Sequence, residues 1–312
     1  LLEIQKEEHL GAFLFRKSMV LGDRWNGYNQ INIFDYRLKV FRVFPLTHKK
    51  RFPSFESNKS LQEVFYEHTI WPLIKETESV ELNENLVARF NSDKMNDYIS
   101  TTLSKGKNVG YESFYCSDCM RESVSDRGYA YYKRIWTIPL IDTCAKHKKK
   151  MQNTKALNCN CCKIGKPDWM ESILLGACVK CGKNTWGKQT QIAYDVDVSL
   201  ATWIEAVLKS RVRSFNREQK VWLIKEAAYS SGLDPESSES IQKHFFDKIK
   251  EERPALLEDL TGSRGYVLAR ILEGKIPLYF ESILFWIILH SGFKQFSIFE
   301  ECLPDLPEAS YC

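Results

Sequence analysis

The sequence predicts a mostly helical protein with a small zinc-ribbon β region in its middle. Three observations predict it. Apolar residues recur at helical spacing on both sides of the chain's centre. Eight of the ten cysteines fall between Phe114 and Asn184, most of them in pairs separated by two residues. Glycines punctuate that same stretch, which favours short strands and knuckle turns over long helices. The expected organisation is a helical N-terminal domain over residues 1–103, a tandem zinc-ribbon domain over 104–190, and a helical C-terminal domain over 191–312. The last domain's helices read as a bundle.

The chain has 312 residues, of which 44% are hydrophobic and 13% aromatic, enough to bury a core. The opening LLEIQKEEHLGAF carries charge too early for a secretory leader. It also lacks an initiator Met, consistent with a segment of a longer protein. Ile283 to Leu289 is the longest apolar run and falls short of the ~20 residues a membrane span needs. The expected compartment is the cytoplasm.

In the N-terminal domain, Leu10, Phe13, Leu14 and Lys17 sit at helical spacing, and Leu21-Gly22 marks a helix end. Trp25 to Arg42 is aromatic-rich without a clean period. His48 to Arg51 is a short basic run that reads as a solvated loop. Ser60-Leu61-Gln62-Glu63 is a capping box, which predicts a helix ending near Trp71-Pro72. Asn85 to Leu103 reads as further helix.

In the middle domain, Tyr129, Tyr131, Tyr132, Trp136 and Ile138 supply the apolar interior that a small metal domain needs. In the C-terminal domain, Leu200, Trp203, Ile204, Val207 and Leu208 form an amphipathic face. A helix is expected from Arg217 to Ser231, stopped by Gly232. Asp234-Pro235 reads as the cap and first position of the next helix, which carries Ile241, Phe245, Phe246 and Ile249. A short helix is expected at Tyr266 to Leu272, and a strongly apolar helix from Pro277 to His290, buried over Leu278 to Leu289.

The cysteines carry the chemistry. Cys116 and Cys119 form a C-x2-C pair, and Cys144 and His147 form a C-x2-H pair. Together they make a site of three thiolates and one imidazole, the donor set of a structural zinc. Cys178 and Cys181 form a second C-x2-C pair and need two partners from Cys159, Cys161 and Cys162. Cys159 with Cys162 gives the x2 knuckle, whereas Cys159 with Cys161 gives C-x-C; both pairings stay open. Two structural Zn2+ ions are expected, in a reducing compartment, because clustered x2 pairs suit metal ligation better than disulfides. The remaining histidines (His9, His48, His68, His244 and His290) lie outside the cluster, and Cys302 and Cys312 read as ordinary thiols. No P-loop, G-x-S-x-G, H-E-x-x-H or paired-carboxylate signature appears, so no enzyme is expected.

The net charge of +4 hides an asymmetry. Residues 104–190 carry 16 Lys and Arg against 7 Asp and Glu. Two filled zinc sites would leave that segment at roughly +6. Lys133, Arg134, Lys146, Lys148, Lys149 and Lys150 are the candidate nucleic-acid contacts, since such side chains neutralise phosphates. Lysine contacts position a protein without reading sequence.

The block YCSDCMRES…GYAYYKRIWTIPLIDTCAKH resembles the zinc-finger block of the TniQ/TnsD family of transposon target-selection proteins. The matching residues are Cys116, Cys119, Arg121, Tyr132, Trp136, Pro139, Cys144 and His147. Cys159 to Gly182 matches the place of the family's second ribbon, although Cys159-Asn160-Cys161-Cys162-Lys163 departs from the usual C-P-x-C-G knuckle. Tyr66-Glu67-His68-Thr69 with Pro72-Leu73, and the opening EEHLGAFLFRKSMVLG, also resemble family segments. The resemblance implies a helical C-terminal region that can contain a helix-turn-helix, and a non-enzymatic adaptor that marks a transposon's target. It implies an AAA+ ATPase regulator as partner, and DNA reached directly or through a CRISPR RNA-guided complex. A second copy of the chain is left open as a partner, no membrane is expected, and the setting would be the bacterial cytoplasm at the nucleoid. The alternative is a zinc-stabilised DNA-binding transcriptional regulator.

Overall fold

The computed structural model describes residues 3–21, 61–69, 72, 114–138, 141–154, 166–209 and 217–252. Among these the chain is mostly helical, with a few two-residue strands. Helix α1, Leu10–Leu21, and helix α2, Leu61–His68, stand where the apolar spacing and the capping box predict them. His9 starts α1: its Nδ1 accepts from the Ala12 N–H at 3.4 Å and its carbonyl from Phe13 at 2.9 Å. Leu10, Ala12, Phe13 and Phe15 are buried. Arg16, also buried, bonds both carboxylate oxygens of buried Glu8, at 2.9 and 2.7 Å. Its guanidinium lies over the Tyr129 ring, 4.7 Å from the centroid.

The middle of the chain begins with β1, Phe114–Tyr115, and helix α3, Ser117–Arg127. A 3-10 turn, Arg134–Thr137, follows, and then β2, Thr143–Cys144, β3, Lys149–Lys150, and β4, Gln152–Asn153. Strand β1 pairs antiparallel with β4, and β2 pairs antiparallel with β3, placing Cys144 opposite Lys149. Ile192 adds a single bridge to Lys149 on the other side of β3. Helix α4, Lys166–Leu175, closes this part.

The eleven residues of α3 and the ten of α4 correct the expectation that glycines would break this region into strands and turns. Two of the described glycines lie at helix ends instead. Gly128, at φ +79°, is left-handed and donates to Val124 O at 2.8 Å, ending α3. Gly176, at φ +71°, follows α4 with the Trp186 ring packed against its Cα. The expected aromatic interior is present in part, with Tyr129 and Tyr131 only half-buried. Tyr132, Trp136 and Ile138 are buried, and Tyr132 meets Trp136 edge-on at 5.1 Å.

Helix α5, Asp195–Leu208, buries Leu200, Trp203, Ile204, Val207 and Leu208 and packs on β2 and the 3-10 turn. Helix α6, Arg217–Ser230, ends before Gly232 at φ +74°. Helix α7, Ser238–Glu252, begins later than Asp234-Pro235 predicts. Asp234 instead shapes the preceding turn, its carboxylate accepting from Glu236 N–H at 3.0 Å. Ser237 is the cap, with its hydroxyl accepting from Ser240 N–H at 3.4 Å and its carbonyl from Ile241 at 3.1 Å.

No helix among the described residues is long and apolar enough to cross a membrane. Several expectations lie outside the described residues: the segments 25–42, 48–51, 85–103, 266–272 and 277–290, together with Pro139, Cys159, Cys161, Cys162, Cys302 and Cys312.

Candidate metal centre

Cys116 immediately precedes α3 in extended conformation (φ −98°, ψ 112°), and Cys119 is the third helical residue. The Cys116 sulfur accepts from the Cys119 N–H at 3.5 Å, as a serine oxygen does at a helix cap. Both sulfurs therefore sit at the positive end of the helix dipole, which favours thiolates. Cys144 ends β2, and His147 lies in the tight turn to β3. Lys148 closes that turn, with its N–H donating to Cys144 O at 2.8 Å and its backbone left-handed at φ +53°.

These two half-sites meet. The three sulfurs and His147 Nδ1 all lie within 4.8 Å of one another. Nδ1 is 3.4 Å from each of the Cys116, Cys119 and Cys144 sulfurs, and the Cys119 and Cys144 sulfurs are 3.6 Å apart. A tetrahedron with ordinary zinc–sulfur and zinc–nitrogen bonds has edges of about 3.8 Å between sulfurs and about 3.6 Å from sulfur to nitrogen. The donor atoms are thus already spaced for zinc. All three cysteines are buried and His147 is partly so, a closed set of four protein ligands.

Charge explains why a cation belongs there. Hydrogen bonds from the Cys116 and Cys119 thiols push the Cys144 pKa far down. Hydrogen bonds with Cys116 and Cys144, together with burial, push Cys119 far up. For Cys116 the bond with Cys119 acts to lower the pKa, but Cys144 and burial outweigh it and raise the pKa to about 12. Without a cation one thiolate is favourable and three are not. A divalent ion reverses this, and its binding releases protons.

The surroundings complete the site. The His147 Nε2–H donates to Glu122 Oε1 at 3.0 Å, which leaves the Nδ1 lone pair facing the sulfurs. Glu122 Oε2 accepts from Lys146 Nζ at 2.6 Å. Lys133 is partly buried. Burial acts against its charge, but the Cys119 sulfur and the Glu205 carboxylate raise its pKa. Gln189 lies against Cys116, sulfur to Oε1 at 3.3 Å, and donates to Lys150 O at 3.1 Å. The pair spacing has no means of revealing Glu122, Gln189 or the role of Lys133, since each comes near only through folding.

The second expected set is partly in view. Cys178 is buried, and its N–H donates to Lys183 O at 2.7 Å; its carbonyl accepts from Gly182 N–H at 2.7 Å, with Gly182 left-handed at φ +72°. This is a C-x2-C-G turn closed as a knuckle, with Cys181 at its exposed tip. Cys159, Cys161 and Cys162 lie outside the described residues.

The six basic candidates do not share one face. Arg134 turns inward: it is 3% exposed and bonds the carbonyls of Tyr66, Thr69 and Leu208, which leaves no fork for a phosphate. Lys150 is held between Asp142 at 2.8 Å and Asp197 at 2.5 Å. Lys149 pairs with Asp118 at 2.8 Å, and Lys133 is half-buried. Lys146 is largely exposed beside Glu122, and Lys148 is exposed. Arg121 braces the region, bonding Asp118 at 2.7 Å, Trp186 O, and Gly187 O at 3.1 Å. Compared with known proteins, the chain matches no family model and no curated sequence.

Proposed function

We propose that this chain is a target-selection adaptor of a transposon. It bridges target DNA, or a CRISPR RNA-guided complex, to an AAA+ ATPase regulator that recruits the transposase. The observation that carries this reading is the closed Cys116–Cys119–Cys144–His147 centre within a sequence block resembling the TniQ/TnsD zinc finger. Four protein donors fill a tetrahedron and leave no position for a substrate, which supports a scaffold rather than an enzyme. The ion is zinc, and a second zinc is held by Cys178 and Cys181 with two of Cys159, Cys161 and Cys162. Nucleic-acid contact falls on Lys148 and Lys146, the two most accessible of the basic candidates. The chain works in the bacterial cytoplasm.

Affinity purification from the native host tests this. Recovery of an AAA+ ATPase in the presence of ATP, with nucleic acid, is the expected result. Recovery of neither would reject the adaptor. The helix pair α6 and α7, joined by a turn at Gly232, favours a second reading as a zinc-stabilised DNA-binding transcriptional regulator. That reading requires the chain alone to select a DNA sequence from a random pool.

A further inference from the structure

Arg134 joins parts of the chain that are far apart in sequence. One guanidinium nitrogen donates to Tyr66 O at 2.5 Å and Thr69 O at 2.7 Å, and the other donates to Leu208 O. Tyr66 lies in the last turn of α2, and Leu208 ends α5. Helix C-termini leave carbonyls without intrahelical donors and carry partial negative charge. One planar fork therefore caps two helices, which a lysine's single ammonium group cannot match.

The segment carrying Arg134 is also tied to the chain's beginning. His9 N–H donates to Tyr132 O at 2.8 Å, and Arg134 N–H donates to Glu7 O at 2.9 Å. Lys209, just beyond α5, pairs with Glu7 at 2.9 Å. The segment is tied to the metal centre as well. Tyr132 OH donates to Phe114 O at 2.5 Å, two residues before Cys116. Residues 132–134 thus reach the strand leading into Cys116 through the Tyr132 side chain and the flanking helices through that of Arg134.

We infer that residues 132–134 form a metal-linked latch, in which Arg134 fastens α2 and the end of α5 to the ribbon only while the Cys3His centre is filled. Without the ion, the two half-sites share only weak thiol contacts, and β1 loses the fastening to Cys144 and His147 that the ion gives it through Cys116, keeping its two-residue pairing with β4. The acceptor of Tyr132 then moves. A buried guanidinium that loses some of its acceptors is strongly disfavoured, so Arg134 is held by all three carbonyls or leaves the interior. The inference rests on the metal reading of the centre, and it extends the effect of the ion to helices that supply no ligand.

Hydrogen exchange of the full chain, followed by mass spectrometry with zinc bound and after chelation, tests the latch. Chelation is expected to speed exchange of α2 and the last turn of α5 by about tenfold or more, while α6 and α7 keep their rates. Arg134→Lys is expected to do the same with zinc content unchanged. Exchange of α2 and α5 unaltered after verified metal loss would overturn the latch. Equal acceleration in α6 and α7 would also overturn it, since that is general unfolding. A zinc assay separates the premises: a chain that binds no zinc fails the metal reading, whatever Arg134→Lys does. If Arg134→Lys does not fold, the chelation result on the natural chain decides alone.

Discussion

His147 reaches the centre through Nδ1 because its Nε2–H donates to the Glu122 carboxylate. Outer partners of this kind change metal affinity by about 10–100-fold. Glu122→Ala should weaken zinc binding within that range while the protein stays folded at saturating zinc, as read by competition with a chromophoric chelator. Cys144→Ala removes a ligand outright. It should lower zinc content by one ion per chain and unfold the ribbon, since the binding energy of a structural site is folding energy. Native melting after that loss would contradict a structural role. Lys148 holds a left-handed backbone that glycine adopts without strain. Lys148→Gly should change stability by less than about 1 kcal/mol while reducing any salt-dependent affinity for DNA. Its pairing with an unchanged melting curve makes it a clean probe of the surface charge.

At the scale of elements, two glycines separate backbone strain from packing. Both Gly128 and Gly176 are left-handed, but a Cβ at Gly128 meets nothing within 4 Å, whereas one at Gly176 would lie 2.9 Å from the Trp186 ring. Gly128→Ala should cost about 1–2 kcal/mol from the dihedral alone. Gly176→Ala should cost more, because Trp186 must also move and its Nε1–H bond to Ile173 O at 2.6 Å is then at risk. Denaturant titration of the two variants side by side orders them. The join between α1 and the ribbon has a pH signature. Burial raises the Glu8 pKa despite the Arg16 bonds that lower it. The folded chain therefore holds that proton more tightly than the unfolded chain. Its contribution is fully present below about pH 4.3 and is lost as pH rises through the folded value. The stability of the natural chain relative to Glu8→Gln should fall accordingly as pH increases, with any pH effect on zinc common to both.

For the whole molecule, much was legible because it is local. Helical spacing placed α1 and α5, a capping box placed α2, a glycine stop bounded α6, and the x2 pairs named the four donors that meet. The capping sulfur of Cys116 shows why α3 was missed. A metal knuckle and a helix cap have the same spacing, and the helix continues through the polar stretch Arg121 to Arg127 until Gly128. The start of α7 was misplaced because Asp234 and Ser237 both offer a capping oxygen, and only their actual bonds distinguish them.

Spacing along the chain determined the ligand types, the pairs and the helical faces, since each depends on neighbours a few residues apart. Tertiary structure decided which pairs share an ion, which carboxylate orients His147, and which basic side chains face outward. Those outcomes depend on partners dozens of residues away. Arg134 and Lys148 read alike in the sequence. One is drawn inside by unpaired carbonyls at two helix ends, and the other is turned out by a left-handed turn.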